Sequence, residues 1–385
     1  MRSKTLCIAG KNDIAVNVLE YALQHCKGCN IIAVLNQDES YIDSWQHSAG
    51  LCCSHNNIPV VSLEDIYSVS DLVFISVEFD RIIDPSKFVS GNLFNIHFSL
   101  LPKYKGCNTS ILPILHGETE SGVTLHRIRR GIDPGEIIAQ RKVTIDYDCT
   151  SLELYKNLIE AGSRLVIEYL DKLIRNDFTE TPQDFMNSVY FARKEIDYST
   201  LRLDTNRTAW QIHNQIRAFA FRPYQLLTFK GFGLIGSTIT GNVSTERPGT
   251  ILEETETHFL LSTIDYDICI YKDVLNELLA AVRDDDNERA ECLCEFRRVI
   301  NETDNNGMSP MSIAQSRNNS ALIQFFTIDN DELGRYNQNT EHRAQSLNLS
   351  QKHNRKLYVL PENKYLNGRA FYFVREEEQL CISAS

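Results

Sequence analysis

Short apolar runs alternate with helix-like stretches along the first half of the chain. Runs at 5–9, 31–35, 60–63 and 72–77 predict β-strands, and 15–26 has the spacing of a crossover helix between the first two. Strands that alternate with helices are typical of an open, largely parallel α/β sheet. Because such sheets bind ligands at the carboxyl ends of their strands, we expect chemistry in the loops that follow residues 9, 35, 77 and 97.

The pattern changes in the second half of the chain. Residues 151–174 carry apolar positions at helical spacing, with Ser151 as the predicted N-cap and Tyr169 in the apolar stripe. A second helix is predicted over 208–219. Five short alternating runs then predict a small β domain, at 225–230, 234–239, 249–254, 258–263 and 268–272.

A helical region is predicted after the β domain, with helices over 275–282 and 292–300. The run S-P-M-S-I-A at 309–314 resembles the T-P-L-H-x-A pattern of one ankyrin repeat. Gly307 permits a positive-φ turn and Pro310 fits the first turn of a helix. A single repeat cannot bury its apolar face alone, so we expect it to pack on neighbouring helices or on the β domain.

Composition narrows the class of protein. The 385 residues include 42% hydrophobic and 23% charged residues, as in an ordinary globular protein of two or three domains. The 51 acidic and 39 basic side chains leave a net charge of -12, which argues against nucleic acid as the main partner. We expect a cytoplasmic protein without a membrane partner, because neither a signal-peptide pattern nor an apolar run of about 18 residues is present.

The cysteine pattern gives no support for a metal site. The 11 cysteines are odd in number and fit free thiols in a reducing compartment. Cys26-x-x-Cys29 is spaced like half of a zinc site, but Cys52-Cys53 lacks the spacer that lets both sulfurs reach one metal. No metal is therefore expected.

The richest polar segment ends a strand-like run near residue 97. Asn95 and His97 are two residues apart, so they share one face of a strand. Asp133 stands in a tight turn between two glycines, where its carboxylate could orient an imidazole and raise its pKa. The structural alternatives are a satisfied strand histidine and an Asx-turn carboxylate.

Three separated elements resemble the pattern of the folate-dependent formyltransferases. They are N-x-H-x-S-L-L-P-x-x-x-G at 95–106, G-V-T-x-H at 122–126 and I-D-x-G at 132–135. The family includes methionyl-tRNA, glycinamide ribonucleotide and nucleotide-sugar formyltransferases. The resemblance implies transfer of a formyl group from 10-formyltetrahydrofolate to a primary amine.

The resemblance also implies roles for individual residues. Asn95 and His97 would stabilise the oxyanion, His97 would take the proton of the amine, and Asp133 would orient His97. Folate is expected along the loop over 76–83. The residues expected at the folate are Phe79, Asp80, Arg81, Ile82 and Gly106, and those expected at the substrate are Lys11, Asn12, Lys103, Tyr104, Phe221, Arg222 and Tyr224.

A nucleotide sugar fits the chain better than tRNA, given the acidic net charge. Phe221 and Tyr224 offer aromatic faces for a pyrimidine and Arg222 a guanidinium for a diphosphate, although they also fit an ordinary helix end. The resemblance to sugar N-formyltransferases that carry one ankyrin-like repeat after the β domain implies that the acceptor is a dTDP-3-amino-3,6-dideoxyhexose, galacto or gluco, for O-antigen synthesis. A 4-amino nucleotide sugar and a non-catalytic ankyrin-type binding protein on an inactive fold are the alternatives. A homodimer is expected from the resemblance alone.

We therefore expect four parts of the chain. A catalytic formyltransferase domain with a Rossmann-like sheet covers 1–205, a small β domain 206–272, and a helical segment with one ankyrin-like repeat 273–336. A tail covers 337–385, in which 356–360 and 369–374 are candidate strands of a hairpin.

Overall fold

The computed structural model describes residues 3–222, 224–304, 306–328, 372–376 and 379–383. The chain divides into two compact units, one up to Thr200 and the other from Leu201 onward. Within the described ranges, no helix has the length and apolar character needed to span a membrane.

Strands and helices alternate in the first unit. Its strands are β1 (Thr5–Gly10), β2 (Asn30–Leu35), β3 (Leu72–Val77), β4 (Leu93–His97), β5 (Lys105–Gly106), β6 (Glu120–Arg127), β7 (Ile137–Thr144) and β8 (Tyr190–Phe191). Its α-helices are α1 (Asn12–His25), α2 (Ala49–Asn56), α3 (Leu63–Ile66), α4 (Leu112–Leu115) and α5 (Ser151–Arg175). Short 3-10 helices cover Pro85–Lys87, Phe185–Asn187, Arg193–Glu195 and Tyr198–Thr200.

Six of these strands form one mostly parallel sheet in the order β2-β1-β3-β4-β6-β7. Strands β2, β1, β3 and β4 are parallel, and β6 and β7 are antiparallel to their neighbours. The predicted open α/β sheet is therefore confirmed. The chain continues from β1 to β2 on one side and reaches β3 on the other, so the order reverses between β1 and β3. A sheet of this kind has a crevice at the carboxyl ends of those two strands.

The 25-residue helix α5 is capped one residue earlier than the sequence predicted. The predicted N-cap Ser151 is wrong, because Thr150 has the extended backbone of a cap and exchanges hydrogen bonds with Glu153 in a capping box. The stripe that faces the sheet includes buried Leu170, whereas Tyr169, which the sequence placed in it, is only half-buried.

The predicted strand over 60–63 is wrong. Val60 makes only an isolated bridge with Ala33 of β2. Ser62 then caps α3, because its hydroxyl accepts from the Asp65 N–H while the Asp65 carboxylate accepts from the Ser62 N–H. The capping-box spacing therefore outweighs the apolar run as a local signal.

The second unit combines an antiparallel sheet with helices. Its strands are β9 (Leu227–Phe229), β10 (Phe232–Val243), β11 (Ile251–Glu254), β12 (His258–Leu261) and β13 (Tyr266–Lys272), in the order β11-β12-β13-β10-β9. Its helices are α6 (Ala209–Phe219), α7 (Leu275–Arg283), α8 (Asn287–Leu293), α9 (Pro310–Ser316) and α10 (Ser320–Thr327). Each of the five runs predicted as strands overlaps one of these strands.

The predicted helix over 292–300 is wrong. Helix α8 ends at Leu293, and a 3-10 helix covers Arg297–Asn301. Between them Phe296 is extended, and its ring stacks on Tyr271 with centroids 4.4 Å apart. It fills the space above Gly236, where a Cβ would lie 2.2 Å from the Phe296 ring. Packing on the sheet thus breaks the helix.

Helices α7 to α10 share one apolar core with the sheet of this unit. Buried residues from both join it, among them Ile235, Leu260, Leu278 and Phe325. At the start of α9 the local geometry matches the sequence, since Ser309 caps the helix and Gly307 has a φ of 75°.

The tail contains a described hairpin of β14 (Tyr372–Glu376) and β15 (Gln379–Ser383), which pair antiparallel. The candidate strand at 356–360 lies outside the described residues. Of the candidate strand at 369–374, the described part, 372–374, belongs to β14.

Gly10 sets how closely the ends of β1 and β3 approach. Its φ is +155°, and a Cβ there would lie 1.7 Å from the carbonyl oxygen of Val77. We expect Gly10→Ala to lower the free energy of unfolding by about 2 kcal/mol or more, through strain and overpacking. Urea unfolding measures this. The control is Gly28→Ala, where a Cβ meets nothing within 4 Å, and an equal loss in both variants would contradict the prediction.

Candidate active site

Asn95 is held in one orientation by the strands on either side of it. In the register of the sheet it pairs with Ser76 of β3 and with His126 of β6. The Ser76 hydroxyl donates to Asn95 Oδ1 at 2.8 Å, and Asn95 Nδ2 donates to His126 Nε2 at 3.0 Å. The amide nitrogen therefore carries a second N–H whose direction is determined by these two contacts.

His126 is the neutral acceptor in this row. Its Nδ1–H donates to the Arg127 carbonyl oxygen at 3.0 Å, so Nε2 holds the lone pair that receives Asn95. Burial lowers the pKa of His126 from 6.5 to about 4, against the opposing effect of the nearby Asp133 carboxylate. His126 belongs to the motif at 122–126, but the motif alone indicated no role for it.

His97 ends β4 with a defined tautomer. Its Nε2 lies 2.8 Å from the carbonyl oxygen of Tyr104, which can only accept, so Nε2 carries the proton. In the neutral ring the lone pair is therefore on Nδ1, which lies 3.6 Å from Asp133 Oδ2. Nδ1 is the basic atom of this side chain, and a proton that it gained would face a carboxylate.

Asp133 lies beside both His97 and His126. Its φ of 50° is in the left-handed region, and its side chain lies within 4 Å of both histidines, with Oδ1 3.7 Å from His126 Nε2. Asp133 Oδ2 accepts from the Gly106 N–H at 3.0 Å, a contact that spans 27 residues and is not a local Asx turn. The structure thus brings together the three residues that the sequence selected as catalytic.

The loop between His97 and Gly106 is anchored by Tyr104. The Tyr104 hydroxyl donates to Glu118 Oε1 at 3.0 Å, and its ring stacks on Phe191 with centroids 5.5 Å apart. This buried ring positions the carbonyl that holds His97. Lys103, also predicted at the substrate, lies in the same loop with its Nζ 4.0 Å from Glu118.

The predicted folate loop is tied to the end of β2. The Asp80 carboxylate accepts from the Gln37 N–H at 2.8 Å, and Arg81 Nη2 donates to the Leu35 carbonyl oxygen at 3.0 Å. The Arg81 guanidinium lies 4.6 Å from the centre of the Phe79 ring. Ile82 is 79% exposed, so an apolar side chain projects from this loop into solvent.

Lys11 and Asn12 stand at the junction of β1 and α1. Lys11 Nζ forms an ion pair with Asp38 at 2.7 Å. Asn12 Nδ2 lies 3.3 Å from Glu78 Oε2 and 3.3 Å from the Tyr155 hydroxyl. Sequence reasoning assigned no role to Tyr155 and included Glu78 only as part of the expected folate loop over 76–83, because neither residue belongs to the motif elements.

Phe221, Arg222 and Tyr224 belong to the second unit. Phe221 is buried and Tyr224 is 67% exposed. Arg222 donates to Asp273 at 2.7 Å and to Glu302 at 3.1 Å, so two carboxylates neutralise the guanidinium that the sequence assigned to a diphosphate.

The depressed pKa of His126 predicts a pH-dependent stability. A histidine with a pKa of 6.5 in the unfolded chain binds more protons there than in the fold, where its pKa is about 4. The stability that depends on neutral His126 is fully present above its pKa of 6.5 in the unfolded chain. It is lost as the pH falls toward its pKa of about 4 in the fold. Between about pH 7 and about pH 4.5, the free energy of unfolding in urea should fall less for His126→Gln than for the native chain. His55→Gln, at an exposed histidine, should keep the native slope, and equal slopes in all three proteins would refute the assignment.

Comparison with known families and structures agrees with this geometry. Residues 65–170 match the family described as formyl transferase, and residues 195–275 match the formyl transferase C-terminal domain. Methionyl-tRNA formyltransferase from Synechococcus sp. (strain JA-3-3Ab) is 38% identical over 151 residues, which are 38% of this chain and 46% of that protein. The chain thus spans about half the length of that relative. The enzyme of the same name from Thermotoga neapolitana is 29% identical over 63% of this chain and 81% of that protein.

Two solved structures are similar over almost their whole length. WlaRD, a sugar 3N-formyl transferase crystallised with dTDP and 5-N-formyl-THF, is 41% identical, with 71% of this chain and 99% of that chain covered and a TM-score of 0.67. The N-formyltransferase from Helicobacter canadensis, in complex with folinic acid and dTDP-3-aminofucose, is 42% identical, with 70% and 99% covered and a TM-score of 0.66. This chain therefore belongs to the formyl transferase family, as an N-formyltransferase.

Proposed function

We propose that this chain transfers a formyl group from 10-formyltetrahydrofolate to the 3-amino group of a dTDP-3-amino-3,6-dideoxyhexose. The observation that carries the proposal is the convergence of Asn95, His97 and Asp133 at the carboxyl end of β4. An oriented amide donor, a basic nitrogen and a carboxylate are the groups that acyl transfer to an amine requires.

Asn95 supplies the donor for the developing oxyanion. As the amine attacks the formyl carbonyl, negative charge develops on the carbonyl oxygen, and the second Nδ2–H of Asn95 is available to stabilise it. Ser76 and His126 hold the amide so that no reorientation is needed during the reaction. His126 must be neutral for this, because only a neutral Nε2 carries the lone pair that accepts from Asn95.

His97 accepts the proton of the attacking amine at Nδ1. The carbonyl of Tyr104 keeps the other ring nitrogen protonated, so the lone pair stays on the side of Asp133. The imidazolium that forms then faces the Asp133 carboxylate, which stabilises it. The proton can pass on to the departing nitrogen of the folate as the carbon–nitrogen bond breaks.

The folate co-substrate fits the loop that follows β3. Exposed Ile82 provides an apolar surface, and Phe79 with Arg81 provides a stacked aromatic and guanidinium pair. Asp80 and Gly106 are the other residues proposed at the folate. Both of the similar solved structures were determined with a formylated folate, which supports a folate co-substrate.

The nucleotide-sugar acceptor is supported by two facts. The two enzymes solved with dTDP or a dTDP-sugar are 41% and 42% identical to this chain, and 99% of each of their chains is covered. The two methionyl-tRNA formyltransferases are 38% and 29% identical, and 46% and 81% of their lengths are covered. The net charge of -12 also disfavours a tRNA substrate. Lys11, Asn12, Lys103 and Tyr104 are proposed to contact the acceptor, and the same role for Phe221, Arg222 and Tyr224 stays a prediction. A 4-amino nucleotide sugar is the second candidate.

Three further features belong to the same proposal. Helices α9 and α10, with their cap and positive-φ glycine, support the assignment of an ankyrin-like repeat in the second unit. Homodimer formation and a role in O-antigen synthesis follow from the resemblance to sugar formyltransferases.

The substrate is tested by incubating the protein with 10-formyltetrahydrofolate and a panel of dTDP-3-amino, dTDP-4-amino and UDP-4-amino sugars, together with methionyl-tRNA. We expect the formylated dTDP-3-amino sugar, detected by mass spectrometry. A product from methionyl-tRNA alone, or from no acceptor in the panel, would disprove the proposed function.

The mechanism is tested by Asn95→Ala. Loss of one oxyanion donor should lower kcat by about 100- to 1000-fold with little change in the Michaelis constant for the acceptor. The matched control is Asn92→Ala, which removes an asparagine just before the amino end of β4 and should keep the native rate. His97→Asn should lose at least as much activity as Asn95→Ala, and full activity in His97→Asn would refute the role of Nδ1.

A further inference from the structure

The turn that carries Asp133 is held by a side chain from a distant part of the chain. Gln183 Nε2 donates to the carbonyl oxygen of Asp133 at 2.8 Å and to that of Gly135 at 2.6 Å. These contacts span 50 and 48 residues, so they depend on the tertiary fold. The two carbonyls stand on either side of Pro134, whose ring nitrogen has no N–H to donate. The Gln183 amide therefore clamps the turn across Pro134.

The orientation of the Gln183 amide follows from these contacts. Two carbonyl oxygens can only accept, so the group that faces them must be the NH2 end of the amide, which has two N–H donors. The other end, Oε1, is buried and has no hydrogen-bond partner within the described residues. A buried acceptor without a partner costs on the order of 1–3 kcal/mol. The fold thus keeps this amide against the turn although its oxygen is left unsatisfied.

The turn needs such support because its backbone is strained and its outer side is open to solvent. Asp133 has a φ of 50°, and a non-glycine residue in the left-handed region persists only when the surrounding structure holds it there. Gly135 is packed so closely that a Cβ would lie 1.7 Å from the carbonyl oxygen of Arg127. Ile132 and Pro134 are exposed. Contacts from other segments, rather than burial of the whole turn, therefore determine where Asp133 lies.

The segment over 181–191 that contains Gln183 also holds the loop that faces Asp133. Backbone N–H groups on either side of Gly106 donate to carbonyl oxygens of this segment, Lys105 to Val189 at 2.8 Å and Cys107 to Phe191 at 3.1 Å. Gly106 itself donates to Asp133 Oδ2 at 3.0 Å. One segment thus holds both the turn that carries the Asp133 carboxylate and the loop that donates to it.

We propose that Gln183 is a positioning residue for formyl transfer, because its two hydrogen bonds keep the Asp133 carboxylate beside His97. The inference rests on the proposed function, in which this carboxylate orients His97 and faces the imidazolium. Asp133 Oδ2 lies 3.6 Å from His97 Nδ1, so a movement of the turn changes that contact directly. A misplacement of about 1 Å can lower a rate by about 100-fold.

The test is Gln183→Met, which keeps the length of the side chain and removes both donated bonds. With 10-formyltetrahydrofolate and the dTDP-3-amino-3,6-dideoxyhexose, kcat should fall by about 10- to 100-fold, because the carboxylate is displaced. Both Michaelis constants should stay close to the native values, because Gln183 acts on Asp133 and not on the substrates. An unchanged kcat in folded Gln183→Met, or a loss carried by the Michaelis constants alone, would overturn the proposal.

The matched control is a glutamine that makes the same kind of bond elsewhere. Gln215 Nε2 donates to the carbonyl oxygen of Asp204 at 3.1 Å in the second unit. Gln215→Met should therefore keep the native kcat, and a loss equal to that of Gln183→Met would overturn the proposal.

A double-mutant cycle shows whether Gln183 acts through Asp133. Asp133→Asn removes the charge whose position matters, so Gln183→Met should lower kcat by no more than about 2-fold further in that background. Independent effects would multiply instead. A double variant whose loss equals the product of the two single losses would overturn the proposal.

The surroundings of His97 can also be measured without substrate. In protein made with isotope-labelled histidine, the NMR signals of the His97 ring are identified by their absence in His97→Asn. They should shift in Gln183→Met and not in Gln215→Met, because the carboxylate beside the ring moves. If circular dichroism shows that Gln183→Met does not fold, Gln183→Glu replaces it, since a carboxylate cannot donate to the two carbonyls. Unchanged His97 signals in a folded variant would overturn the proposal.

These measurements separate the positioning role from the proposed function. If the native chain formylates no amino sugar, the proposed function fails, and the His97 signals still decide the role of Gln183. If the native chain is active and the Gln183 variants match it in kcat and in the His97 signals, only the positioning role fails.

Discussion

The candidate active site depends on the register of three adjacent strands. Ser76 of β3, Asn95 of β4 and His126 of β6 stand side by side in the sheet, and two hydrogen bonds run through the Asn95 amide from one neighbour to the other. Because side chains alternate between the faces of a strand, a slip of one residue would turn Asn95 away from both partners. The apolar residues that keep β3 and β4 in register therefore also hold the Asn95 amide in place.

Burial then decides the protonation states on which the chemistry depends. His126 is neutral because it is enclosed, and so it can accept from Asn95. His97 is oriented by a backbone carbonyl, which leaves the lone pair of the neutral ring on Nδ1. Asp133 lies close to both rings, and its own position depends on the Gly106 N–H. The packed ring of Tyr104 thus helps to orient His97, because it positions the backbone carbonyl to which the imidazole donates.

Two kinds of constraint meet at the carboxyl edge of the sheet. Strand β4 carries Asn95 and His97, and the ends of β1 and β3 are followed by left-handed backbone at Asn12 and Glu78. Strand β3 connects the two, because Ser76 donates to Asn95 and Glu78 follows two residues later.

Alternation and motif spacing are local signals, and they were enough to predict the parallel sheet, the strands of the second sheet and the importance of the segments that bring Asn95, His97 and Asp133 together. They did not reveal the contacts of Ser76, Glu78 and Tyr155, since these contacts depend on partners far away along the chain. The same signals misjudged 60–63 and 292–300, where a capping box and the packing of Phe296 outweighed the apolar pattern. The tautomers of His97 and His126 emerge only from the fold, because each is set by a hydrogen bond from the ring to a backbone carbonyl, and the pKa of His126 is lowered by the packing that buries it.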